Sequence, residues 1–218
     1  MRLLAFFLVI CLGVSPAWAA PKPATDPDSF YLGLVKRAQS MPADFDFAQL
    51  RMAYTQTSFY SPLGFGSKQK ELIGELRKAD EGDSAAKNEV AKISEQHFAN
   101  FMLHSIMGGY LVSKKLDPKL HTWAYAAIIK SILASGGGKT PESAFHVIEV
   151  GEEYLIARTV FRAKVTSQTL VSQNGHTYDK LSLERDGGKI DIYFNIDVAM
   201  AGYDTMLKSG NVHKLPDK

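Results

Sequence analysis

The chain has 218 residues, 45% of them hydrophobic and 22% charged, with a formal net charge of +2. That is globular composition with enough apolar content for a core, and it lacks the basic field that nucleic-acid binding needs. No apolar window beyond the first twenty residues is long enough for a membrane span in the mature chain. The lone cysteine, Cys11, excludes a disulfide scaffold.

The N-terminus reads as an export signal. Arg2 gives a basic start, Leu3 to Val14 is a short apolar run, and Ala17-Trp18-Ala19 fits a small-x-small cleavage site. Residues 1–19 are thus expected to be a signal peptide and Ala20 the first mature residue, which places the protein in the periplasm or outside the cell. Cys11 leaves with the signal, so the mature chain is expected to be cysteine-free and stabilised by packing. Residues 20–28 hold three prolines, Pro21, Pro23 and Pro27, and read as a flexible lead-in.

Residues 29–135 read as a helical part. Ser29–Ser40 and Asp46–Thr55 carry apolar residues at helical spacing, and an ordered loop punctuated by Pro62, Gly64 and Gly66 follows. Lys68–Asp80 and Ser84–Glu95 are charge-laced helices parted by Glu81-Gly82-Asp83. Phe98–Lys114 and Lys119–Ala134 complete the set, the last with Asp117 as N-cap, Pro118 at its first turn and Gly136 at its C-cap. Antiparallel hairpins with tetratricopeptide-like packing are the natural arrangement, although no fixed-period repeat is present.

Residues 141–208 read as a small sheet part packed with the helices as one domain. Phe145–Val150 is expected as a strand and Gly151–Phe161 as a helix. Lys164–Ser172, Thr177–Glu184 and Lys189–Val198 then form an antiparallel meander turning at Asn174-Gly175 and Asp186-Gly187-Gly188. In the last strand Ile190, Ile192, Phe194, Ile196 and Val198 alternate with Asp191, Tyr193, Asn195 and Asp197. That gives one core face and one polar face. Helices first and a small antiparallel sheet second define an α+β fold.

Together these residues resemble a bacterial family, domain of unknown function 4919. The matching stretches are Asp46–Thr55 with Tyr60 and Pro62, His104, His121, Lys130-Ser131-Ile132, Ser135-Gly136, Ala144–Ile148, Glu152-Glu153-Tyr154, Tyr178-Asp179 and Tyr193–Asp197. The resemblance covers residues 44 to 198 and departs at Gly137, where the family pattern has aspartate. It implies no known activity.

Gly138-Lys139-Thr140 imitates the end of a phosphate loop. Leu133 stands where the loop's first glycine belongs, and Thr140-Pro141-Glu142 reads better as a cap and first turn. His97, His104 and His121 are the candidate metal ligands, but their spacing along the helices predicts offsets of roughly 10 Å, so no metal site is expected. Glu152 and Glu153 point about 100° apart on a helix and do not share a face. Arg51 lies among apolar and aromatic residues, where a buried guanidinium requires a carboxylate. A structural ion pair to Glu152 or Glu153 is the leading reading, and a pocket for an anionic ligand the sharper one. The ligand-binding candidates are therefore Arg51, Tyr54, Tyr60, His104, Glu152 and Glu153. No catalytic set and no cofactor is implied. The expected function is an exported binding or interaction protein of the cell envelope, with the helices as its interaction surface and a protein or a small anionic ligand as its partner. The alternative is a hydrolase acting on envelope or extracellular material.

Overall fold

The computed structural model describes residues 26–208; the expected signal peptide and residues 20–25 of the lead-in lie outside the described residues. Six helices come first: α1 (Pro27–Ala38), α2 (Phe47–Tyr54), α3 (Gly66–Asp80), α4 (Ser84–Gln96), α5 (Phe101–Ser113) and α6 (Lys119–Leu133). Their starts are set by side chains that accept the otherwise orphaned first-turn N–H groups. Asp26 caps α1, Asp46 accepts Gln49 N at 2.9 Å, Asp83 accepts Ala85 N at 2.8 Å, and Asn100 accepts Met102 N at 2.8 Å. Asp117 accepts Lys119 N at 2.9 Å, the capping its position predicts.

Consecutive helices pair as hairpins, α1 with α2, α3 with α4 and α5 with α6. Between hairpins, α2 packs on α6, α1 on α4 and α3 on α5. One buried cluster runs from Tyr31 and Leu50 through Ile128 and Ile132 to Leu155, Leu181 and Phe194, joining helices and sheet. A smaller cluster of Phe65, Leu72, Ile93 and Leu103 lies among α3, α4 and α5. Each such side chain contributes about 1.5–3 kcal/mol through removal from water.

After a 3₁₀ turn at Pro141–Ser143 come β1 (Phe145–His146), α7 (Val150–Thr159), β2 (Lys164–Gln173), β3 (His176–Arg185), β4 (Gly188–Asn195) and α8 (Asp197–Lys208). The meander forms as its alternation predicts. Asn174-Gly175 and Asp186-Gly187 turn with positive φ at both residues, the two-residue hairpin geometry that matches strand twist. Gly188 belongs to β4, opposite Arg185.

Three expectations for the sheet part need correction. The sheet is mixed, in the order β1-β4-β3-β2, because β1 runs parallel to β4 with Phe145 opposite Phe194. The strand expected over Phe145–Val150 stops at His146. The Ile148 N–H donates to Glu152 Oε2 at 2.9 Å and the Ile148 carbonyl accepts from Tyr60 Oη at 2.5 Å, so side chains take the bonds a ladder would need. The last strand ends at Asn195, not Val198. Asn195 Oδ1 accepts Asp197 N, Asp197 Oδ1 accepts Thr177 N, and α8 begins there. The buried pair Ile196 and Ala199 follows helical spacing.

The glycine run after α6 serves close approach rather than capping. A Cβ on Gly136 would meet the Ala144 carbonyl oxygen at 2.4 Å, and one on Gly138, whose φ is +67°, would meet the Phe145 ring at 2.3 Å. The Gly137 and Gly138 N–H groups both donate to the Ser143 carbonyl, at 2.8 and 2.6 Å. The donors a phosphate loop would aim at its ligand are thereby consumed.

Gly136→Ala is expected to lower stability by about 1–3 kcal/mol, because backbone must move to admit the methyl. Gly74→Ala, mid-α3 with nothing within 4 Å of the new Cβ, is expected to raise it by about 0.5–1 kcal/mol. Urea unfolding of the two variants checks both signs.

Candidate functional site

The sequence candidates meet around the start of α7. Arg51, in α2, is fully buried at 0% exposure. Its Nε donates to Glu152 Oε1 at 3.0 Å and its Nη2 to Glu152 Oε2 at 2.5 Å, the bidentate fork that guanidinium and carboxylate favour. Nη1 donates to Ser131 Oγ in α6 at 3.2 Å, and Nη2 also reaches the His146 carbonyl in β1 at 3.3 Å. One side chain thus binds α2, α6, β1 and α7 together.

Tyr60 enters the same site through its bond to the Ile148 carbonyl, and its ring meets Tyr54 edge-on at 5.4 Å. Tyr54 Oη pairs with His97 Nδ1 at 2.8 Å, inside an aromatic cage that includes Phe59 and Phe65. Burial, and secondarily Lys68, brings the His97 pKa down to about 4, so the ring is neutral at physiological pH, and its Nε2 has no hydrogen-bond partner among the described residues.

Two further carboxyl groups surround the ion pair. Glu149, the residue before α7, is buried and accepts Asn100 Nδ2 at 2.8 Å. Burial first, and the neighbouring Glu152 second, push its pKa up to about 8, with Arg51 opposing. Glu153 lies one residue beyond Glu152 and points elsewhere, as the helical angle predicts. It is fully buried under the sheet, with the Asp179 carboxyl group beside it. Burial, then the charge of Asp179 in β3, push its pKa up to about 9. Asp179 accepts Gln168 Nε2 at 2.6 Å, and Gln168 Oε1 accepts Tyr154 Oη at 2.7 Å, so an exposed polar chain leads inward to this acid pair.

His104 stands apart from this site, and its expected separation from His121 is corrected. The two Nδ1 atoms are 3.0 Å apart. A Cβ on Gly108 would be only 3.9 Å from His121 Cβ, so position 121 is level with 108. Residue 104 is then about one turn, roughly 6 Å, away, which two imidazoles span. His104 Nε2 donates to the Phe98 carbonyl at 2.6 Å, so its Nδ1 accepts from His121. Burial holds the His104 pKa down at about 3. The pair is neutral and internally satisfied. Among the described residues no group of three or more His, Cys, Asp or Glu side chains converges as a metal site.

Arg51, Tyr54, Tyr60 and Glu152 therefore come together, Glu153 faces the sheet, and His104 packs with His121. Sequence reasoning missed Glu149, Asn100 and His97 as partners, and Asp179 and Gln168 as the neighbours of Glu153. Glu149-x-x-Glu152-Glu153 has the i, i+3, i+4 spacing of a helix start, a signal obscured because Glu149 sits in a stretch that reads as strand.

The protonation states dictate a pH profile. Between about pH 4.5 and 8–9 the folded chain keeps protons on Glu149 and Glu153 that the unfolded chain has released, so stability falls as pH rises. Between about pH 3–4 and 6.5 the unfolded chain takes up protons at His97 and His104 that the folded chain refuses, so stability rises there. Above pH 6.5 only the glutamate effect remains. Urea midpoints are expected to decline from pH 6.5 to 9, and Glu153→Gln to flatten that decline; a flat wild-type profile would contradict the assignment.

A family model described as domain of unknown function (DUF4919) matches residues 24–205. No match is found among curated proteins or among solved structures. The matched span includes every element of the site and the whole sheet, and the chain belongs to the domain of unknown function 4919 family.

Proposed function

We propose that the protein is exported and acts in the cell envelope as a binding or interaction protein, with the sheet as its recognition surface. The observation that carries this reading is the inward use of the chemistry-bearing groups. Arg51 is enclosed by Glu152, Ser131 and the His146 carbonyl, with Glu149 close by. An anionic ligand would meet buried carboxyl groups there, so the partner we favour is a protein. The sheet, by contrast, leaves much of itself accessible. β2 is largely exposed, and Lys180, Tyr193 and Asp191 line the face turned from the core. The N-terminal signal supports export. No helix among the described residues is long and apolar enough to cross a membrane.

A hydrolase acting on envelope or extracellular material is the second reading, favoured by one observation. Glu153 keeps its proton beside Asp179, the pairing of acid and carboxylate that general acid–base chemistry uses. Access to it would require the exposed Tyr154–Gln168 contact to open.

The test is a photo-crosslinking residue at position 180 or 193, introduced in the producing cell. The expected outcome is a mature protein beginning at Ala20, crosslinked to an envelope protein from both positions and not from the buried position 155. Recovery of intact Met1 in the cytoplasm, or equal labelling from all positions, contradicts the proposal. Release of fragments from isolated cell-wall material by the wild type and not by Glu153→Gln would favour the hydrolase instead.

A further inference from the structure

The two edges of the sheet are treated differently. β1 is a two-residue edge, too short to template another strand. β2 is ten residues long, and among the described residues its backbone pairs only with β3. Folded proteins guard such edges with inward charges, lysines, prolines or bulges. Here the bulge between Val165 and Ser167 and the single charge, Lys164, both sit at one end. Ser167–Gln173 has no charge and no proline, and Leu170 within it is 59% exposed.

The charge pattern selects the occupant. Lys164 marks one end of β2, while at the other end Gln173 Nε2 donates to the Glu142 carboxylate and fixes it beside the strand. Antiparallel pairing of β2 with β2 of a second copy brings the Lys164 end of each strand to the Glu142 end of the other, twice by symmetry. A parallel partner would set lysine beside lysine. A two-fold axis perpendicular to the sheet keeps each side chain on its own face, so the register must place one residue opposite itself. With the axis at Thr169, that residue opposes its own copy and both copies of Leu170 lie next to the axis.

We propose that the β2 edge is a self-association surface, on which two copies pair antiparallel and join their four-stranded sheets into one continuous sheet. The proposal rests on the reading of the sheet as the interaction surface and names one partner for its edge. The polar face that carries Lys180 and Tyr193 stays accessible in such a dimer.

Sedimentation velocity over a concentration series tests it, with the purified protein and four variants. Wild type is expected to form a concentration-dependent dimer. Lys164→Glu replaces two attractive cross-strand contacts with repulsive ones and is expected to weaken it about tenfold. Lys164→Glu with Glu142→Lys is expected to restore it. Leu170→Lys, a change at an exposed position that leaves the fold intact, is expected to give monomer. In the cysteine-free mature background, Thr169→Cys is expected to yield a disulfide-linked dimer under mild oxidation, because directly opposed residues lie within bridging distance. A wild type that stays monomeric throughout the series overturns the proposal. So does a dimer that ignores both Lys164→Glu and Leu170→Lys. If positions 180 and 193 crosslink to an envelope protein while the chain stays monomeric, self-association fails and the binding reading stands. If the chain dimerises and neither position finds an envelope partner, self-association stands and the binding reading fails.

Discussion

A buried guanidinium is tolerable only when nearly every donor it carries has an acceptor, and Arg51 governs this fold because it meets that condition across the chain. Its acceptors come from residues 131, 146 and 152, far from it in sequence and on three other elements. The helices and the sheet part must therefore dock in one relative position for the charge to be compensated. Apolar packing supplies the larger share of the stability, but it is non-directional. The fork between Arg51 and Glu152 is directional, and it fixes where α7 sits.

That placement explains the protonation of the neighbouring acids. Glu149, Glu152 and Glu153 leave the start of α7 in three directions, toward Asn100, Arg51 and Asp179. The low-dielectric interior supplies one guanidinium for this group of carboxyls, and Glu152 takes it. Burial and mutual repulsion then favour the neutral forms of Glu149 and Glu153, so protons serve where counter-charges are absent. The same interior neutralises His97 and His104. A core that holds titratable groups in their neutral forms is poorly placed to meet ligands, and the accessible polar groups lie on the sheet.

Much of this is legible in the sequence. Asp46 and Asp117 announce helix starts, and the Asn174-Gly175 and Asp186-Gly187 turns announce the meander, because each signal is local; the helix expected from Phe98 starts instead at Phe101, after the Asn100 cap. The need of Arg51 for a carboxylate is legible as well, since desolvation cost depends only on burial. Which glutamate answers it is not, because Glu152 and Glu153 differ only by a rotation that tertiary docking resolves. The parallel β1 is invisible at that level because two residues carry no period. The start of α8 is hidden by Asn195 and Asp197, whose alternation with Phe194 and Ile196 reads as strand, while Asn195 Oδ1 accepts the Asp197 N–H at the helix start and Asp197 Oδ1 ties back to the Thr177 N–H of β3. The His104–His121 contact is hidden because α6 lies level with Gly108 of α5, a register that loop counting alone places wrongly.

The most direct measurement of the central claim is a double-mutant cycle on Arg51→Met and Glu152→Leu, read by urea unfolding at pH 6.5. Each single change leaves an uncompensated buried charge and is predicted to cost about 3–5 kcal/mol. The double variant, which removes both charges and keeps much of the volume, is predicted to be far more stable than the sum of the two losses implies. Strictly additive losses would contradict the account, because they would mean that Arg51 and Glu152 do not depend on one another.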